Sequence, residues 1–223
     1  MPATLAAMMI LALSAAAETA QANIAVRGGT AVSELLSSDR DFRPYLGYEV
    51  DLLQRVGYPQ YGPQLSMFWN TQLLDFLSVR PEFGFVQRGY HLNQIRLYNS
   101  SYKIRISYLE LPVMLRVGLP HGRVRPGIAA GPYVAYRLAA VGRLMDRGET
   151  VTRAIPTVRS LDYGVVLGLD TEVVTPGGRL LFDLRLNWGL ADIMRETDGV
   201  IPLHHTPGRV QVLSLGLSTG YGF

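Results

Sequence analysis

The 223-residue chain has no cysteine. That excludes a disulfide scaffold and any thiolate metal site. Beyond its first residues it has no apolar run of the ~20 residues that a membrane-spanning helix needs. Charge is scarce, at 17% charged against 48% apolar residues. The net charge of +3 is not gathered into a basic run along the sequence, which argues against a nucleic-acid partner. Gly-x-Ser-x-Gly, phosphate-loop and spaced histidine-ligand patterns are all missing, so no cofactor is implied.

The first 22 residues, "MPATLAAMMILALSAAAETAQA", read as a secretory signal peptide. An apolar stretch from Leu5 to about Ala17 precedes the small-x-small pattern Ala20-Gln21-Ala22. No Lys or Arg stands near Met1, and a buried or membrane-anchoring helix is the other reading. The domain division expected is 1–22 signal peptide and 23–223 barrel.

After Asn23, period-two alternation recurs almost everywhere. In "RLLFDLRLNWGL", Leu180, Phe182, Leu184, Leu186, Trp188 and Leu190 share one face. Arg179, Asp183, Arg185 and Asn187 share the other, with Leu181 and Gly189. The pattern predicts eight strands near 23–33, 62–72, 76–90, 101–118, 123–139, 160–174, 178–191 and 209–223. Most are long enough to cross a bilayer at a tilt, which takes ~9–11 residues. Short connections (73–75, 118–123, 175–178) alternate with long ones (34–61, 91–100, 140–159, 192–208). This predicts an all-β, eight-stranded antiparallel transmembrane barrel with short periplasmic turns, longer outer loops and both termini on the periplasmic side.

A soluble sandwich or lipocalin-like barrel would bury the apolar face instead. Two features favour the inverted arrangement. Tyr102, Tyr136, Tyr163 and Trp188 fall near the long-loop ends of the apolar face, and Trp69, Tyr221 and Phe223 near its short-turn ends, as interfacial girdles do. Reversing the register would also aim Arg179 and Arg185 at lipid, at ~2–4 kcal/mol each near the midplane. Pro81, Pro112, Pro126 and Pro132 lie inside proposed strands, where a missing N–H interrupts the ladder. The alternation also changes phase near Tyr108–Leu109, which predicts a bulge there.

The inward face carries Arg80, Glu82, Arg88, Glu110, Arg116, Arg125, Arg137, Asp162, Asp170, Glu172, Asp183 and Arg185. Buried charges must be paired. An ion-pair network filling the lumen is therefore expected, with a narrow ion path or gate as the alternative. His91 is placed at the start of an outer loop and His121 in a periplasmic turn. His204 and His205 are adjacent in the last outer loop, with Asp192, Glu196 and Asp198 near in sequence. They are candidates for loop acid–base chemistry or a metal ion, against a plain solvated pair.

Four segments, "SYLELPVMLRVGLP", "GIAAGPYVAYRLAA", "DYGVVLGLDTEV" and "DLRLNWGLADI", resemble the PorT-like outer-membrane β-barrel family, found mostly in Bacteroidota. The matching positions are Tyr108–Pro112, Ala130–Tyr133, Gly168–Glu172 and Arg185–Leu190. "AVRGGTAVSELL" is similar to the family's first strand, and the resemblance covers nearly all of the mature chain. Leu186 stands where the family has Tyr, and Asp170 where it has a second Gly. The resemblance implies an eight-stranded barrel in the bacterial outer membrane, of the OmpA-like kind. PorT itself is associated with type IX secretion. The resemblance also implies that the closing strand and its terminal aromatic are what the barrel-insertion machinery reads, with Phe223 as the signal and Tyr221 in support.

The function expected is a non-enzymatic structural or interaction role, as an accessory of a secretion or surface assembly. Its partners would be outer-membrane lipid, the insertion machinery and a protein held by the outer loops. A narrow channel and a loop-sited enzyme are the alternatives.

Overall fold

The computed structural model describes residues 23–37, 56–94, 100–146, 149–155, 158–193 and 210–223. The proposed signal peptide lies outside them. Nine strand elements follow in order: β1 (Asn23–Ser37), β2 (Val56–Leu74), β3 (Leu77–Gln94), β4 (Ser100–Gly118), β5 (Val124–Asp146), β6 (Glu149–Ala154), β7 (Leu161–Thr175), β8 (Gly178–Gly189) and β9 (Val210–Gly222).

Eight of them close a barrel. They are hydrogen-bonded in the order β4-β3-β2-β1-β9-β8-β7-β5, and β4 pairs with β5 to complete the ring. Every pairing is antiparallel. β6 is no stave of that ring. It doubles back on the far end of β5, pairing Val141–Asp146, within the stretch expected to be a loop. Strands also run further than the alternation suggested: β1 reaches Ser37 and β3 reaches Gln94, so His91 sits in a strand and not in a loop. There the backbone ladder continues, to Ser37–Val210 and Gln94–Ser100, past the point where the apolar–polar alternation breaks at Leu35–Leu36.

The register sends the apolar face outward. Along β7 and β8 exposed and buried residues alternate without a break from Leu161 to Asp170 and from Leu180 to Gly189. Tyr136, Tyr163 and Trp188 are exposed near the long-loop end, and Trp69 and Phe223 at the other. The side chain of Tyr102 is outside those described.

Three strand irregularities have local causes. In β4 the inward positions stay even-numbered throughout, from Ile104 to Arg116, so no phase change occurs there. The bulge falls instead on β5, where Leu138 is the extra residue between the pairs Ser107–Ala139 and Tyr108–Arg137. The apparent shift in β4 arises because its inward face turns from polar to apolar at Tyr108. Pro112 and Pro132 leave gaps in the ladder: β3–β4 pairing skips from Pro81–Val113 to Gly84–Glu110, and β4–β5 pairing from Pro112–Tyr133 to Leu115–Ala130. Neither gap shifts the register. At the second gap a Cβ on Gly131 would lie 2.0 Å from the Val113 carbonyl oxygen.

Candidate functional site

The lumen is stacked in layers. Nearest the long loops is an apolar cap of Ile104, Ile106 and Tyr108 from β4, with Val210 and Val212 from β9 and with Val158 and Ile193 from the connections. Each is almost fully buried. The inward side chains of β4 change here from charged to branched apolar, which is why the cap sits at this height.

Below the cap, Arg88 of β3 ion-pairs with Glu110 of β4 and lies 3.5 Å from Asp162 of β7. The Tyr133 hydroxyl donates to Asp162 Oδ2 at 3.0 Å. The Arg88 guanidinium also lies over the rings of Tyr108 and Tyr133, 5.8 and 5.3 Å from their centroids, at the distance where a cation is attracted to a ring face.

The middle layer is a closed four-membered ring. Arg27 of β1 pairs with Glu82 of β3 and with Asp183 of β8, the latter at 2.8 Å. Arg185 of β8 pairs with the same two carboxylates at 2.9 and 2.7 Å. Arg27 also donates to the Ser66 hydroxyl at 2.9 Å. Two cations and two anions cancel within one layer.

Nearest the short turns, Arg80 meets Asp170 and Glu172 at 3.0 and 3.2 Å, and Arg116 meets Asp170 at 2.7 Å. Arg179 approaches Glu172 at 3.5 Å. Phe68 lies under both Arg80 and Arg27, at 4.5 and 5.2 Å. Over the three layers six arginines (27, 80, 88, 116, 179, 185) balance six carboxylates (82, 110, 162, 170, 172, 183). That neutrality makes so many buried charges tolerable, since each needs a partner and hydrogen bonds to offset its desolvation. Two small voids flank the column. One of about 30 Å³ lies between the upper and middle layers, against Glu82, Glu110, Arg185 and Ser218. Another of about 110 Å³ opens at the short-turn mouth, against Asn70, Arg125, Glu172 and Arg179.

Of the residues singled out from sequence, the structure brings Arg80, Glu82, Arg88, Glu110, Arg116, Asp162, Asp170, Glu172, Asp183 and Arg185 into this column. Arg125 and Arg137 stand apart from it. Arg125 is half-buried at the short-turn rim, where its Nε donates to the Gly122 carbonyl at 3.1 Å. Arg137, at the bulge, donates to the Ile155 carbonyl at 3.1 Å. Arg27 was missed, although it stands two positions after inward Ala25 and next to outward Val26, which marks it as luminal. The Tyr221 hydroxyl donates to the Gly177 carbonyl at 2.5 Å, tying the closing strand to the β7–β8 turn. The Phe223 N–H donates to Ile24 at 2.9 Å, and its ring meets that of Tyr221 edge-on, 5.2 Å away. His121 is exposed in its short turn. His204, His205, Glu196 and Asp198 lie outside the described residues. Asp192 accepts from the Val210 N–H at 3.1 Å.

A closed barrel with its apolar side chains outward and its charges paired inside is the architecture of a transmembrane β-barrel. The chain belongs to the outer membrane protein beta-barrel domain family, which matches residues 16–195. It is an outer-membrane barrel protein, and its place is the bacterial outer membrane. Among curated proteins none matches the chain. Among solved structures it is similar to Ail, the attachment invasion locus protein of Yersinia pestis, at 13% identity over 91% of this chain and 99% of that one, with a TM-score of 0.42. Neisserial surface protein A is similar at 12% identity over 90% and 97% of the two chains, with a TM-score of 0.43. OprG from Pseudomonas aeruginosa is similar at 12% over 92% and 97%, with a TM-score of 0.44.

Proposed function

We propose that this barrel is a non-conducting, non-enzymatic outer-membrane component with a structural or interaction role, acting as an accessory of a secretion or surface assembly. The observation that carries this reading is the filled lumen: among the described residues, an apolar cap and three layers of paired charge occupy it, with small voids of about 30 and 110 Å³ beside them. A wall this rigid is a platform for loops, and loops on a rigid scaffold are where binding concentrates. The finer family reading, PorT-like, draws support from the column itself. Glu110, Tyr133, Glu172 and Arg185 belong both to the resembling segments and to the luminal network. Export through a signal peptide cleaved after Ala22 belongs to the same reading, with Asn23 expected as the mature N-terminus on sequencing.

Mild-detergent extraction of the native membrane, with mass spectrometry of what co-purifies, tests the assembly role. A stoichiometric partner is the expected result, and a lone barrel counts against it. In planar bilayers the purified protein is expected to be silent. Discrete conductance steps would replace this reading with the channel. A changed surface lipid profile on combining His204→Ala with His205→Ala would favour the loop-sited enzyme.

A further inference from the structure

We propose that Lys103, Arg105 and Arg143 form a binding site on the outer wall of the barrel for the phosphate-bearing headgroup of an outer-leaflet lipid. The register builds it. Lys103 of β4 stands directly opposite Arg143 of β5, and Arg105 follows two residues on along the same face of β4. Directly opposed side chains start from Cβ atoms about 5 Å apart. Three cations therefore share one small area of wall. Arg105 and Arg143 are exposed and Lys103 is half-exposed.

Among the described side chains no acid accompanies them. The described outward positions of β3, β4 and β5 carry no carboxylate, and none of the three cations is ion-paired among the described residues. Like charges set directly opposite one another weaken a strand pair. The layered column in the lumen matches six arginines with six carboxylates, whereas this trio on the outside is unmatched, and an anion from outside the chain would complete it.

The height of the trio points to which anion. The outward face of β4 is apolar from Val117 to Leu109, then becomes Ser107, Arg105 and Lys103. At the usual strand rise and tilt, Arg105 lies about 10 Å beyond Leu109 along the bilayer normal. Lys and Arg side chains extend along apolar surface to put their charges at the interface. Outer-leaflet headgroups occupy that level, because the trio is at the long-loop end and short turns face the periplasm.

The test is native mass spectrometry of the intact barrel in a neutral detergent, titrated with diphosphorylated lipid A. Lipid retention is expected, falling about fivefold for each cation removed in K103Q, R105Q and R143Q, and weakening with salt. Equal retention by the triple variant, or of dephosphorylated lipid A by the native protein, overturns the proposal. Displacement by inorganic phosphate at matched concentration would make this a free-anion site and overturn the lipid assignment. In lipid-free detergent the triple variant is expected to unfold at the same or a higher urea concentration than the native protein, because it loses like-charge repulsion. A lower midpoint would assign the three residues a structural role instead. Should the triple variant fail to fold, R105Q alone, whose side chain has no directly opposed cation, carries the comparison.

Discussion

Arg185 on β8 and Glu82 on β3 join opposite walls of the barrel, Nη1 to Oε2 at 2.9 Å, with both side chains almost fully buried. In the ring order four steps separate their strands either way round, so the pair spans the full width of the lumen. Arg27 and Asp183 complete the layer, and the ring fixes the walls relative to one another.

Breaking that ring on one side strands a charge. Arg185→Leu leaves Glu82 and Asp183 to share Arg27, and is expected to cost ~3–5 kcal/mol. Adding Glu82→Leu restores one cation to one anion and should recover much of the loss. Urea unfolding in vesicles, read by the gel mobility of unboiled protein, measures both. An equal loss in single and double variants would mean that packing, and not charge pairing, holds the layer.

Two glycines of neighbouring strands, Gly131 of β5 and Gly168 of β7, differ in the space beside them. Gly131→Ala would drive a Cβ to 2.0 Å from a backbone oxygen, whereas at Gly168 the nearest atom is Met114 Cε at 3.5 Å. The first should destabilise by at least the ~1–3 kcal/mol typical of overpacking. The second should stay within ~0.5 kcal/mol. The same unfolding assay separates them.

Leu167 sits midway along β7 and faces outward. Leu167→Arg should cost ~2–4 kcal/mol in a bilayer, as arginine does at the midplane, and much less in a detergent that tolerates a snorkelling charge. Equal cost in both media would show that the position does not face lipid.

Removing Phe223 takes away one edge-on ring contact and one backbone hydrogen bond at the rim. The residue is 73% exposed, so the folded barrel should lose little stability. If the terminal aromatic is the assembly signal, outer-membrane yield in cells should fall sharply while refolding in vitro proceeds normally. Unchanged yield would remove Phe223 and its neighbour Tyr221 from that role.

Most of the barrel was legible because a lipid-facing strand must alternate: oil on one side and a crowded lumen on the other leave each residue one of two places. Leu180 to Leu190 shows this residue by residue. The alternation misled where the lumen itself turns apolar, and it fell short at the long-loop ends of β1 and β3. Ile104, Ile106 and Tyr108 look outward by composition yet form the cap, and the bulge that their apparent shift predicted lies on the neighbouring strand at Leu138. Arg125 and Arg137 point toward the correct side of their strands, but near its ends, where a carbonyl is nearer than a carboxylate.

The sequence by itself determined the crossing strands, their facing, the short-turn end and most of the luminal charges, because each depends on local period and on the cost of exposing charge to lipid. Only the tertiary structure decided which arginine meets which carboxylate. Partners such as Arg80 and Asp170, 90 positions apart in the chain, are chosen by strand order and by the stagger between strands that closes the barrel. The same register gathers Lys103, Arg105 and Arg143 on one patch of wall, a basic cluster that does not exist along the chain.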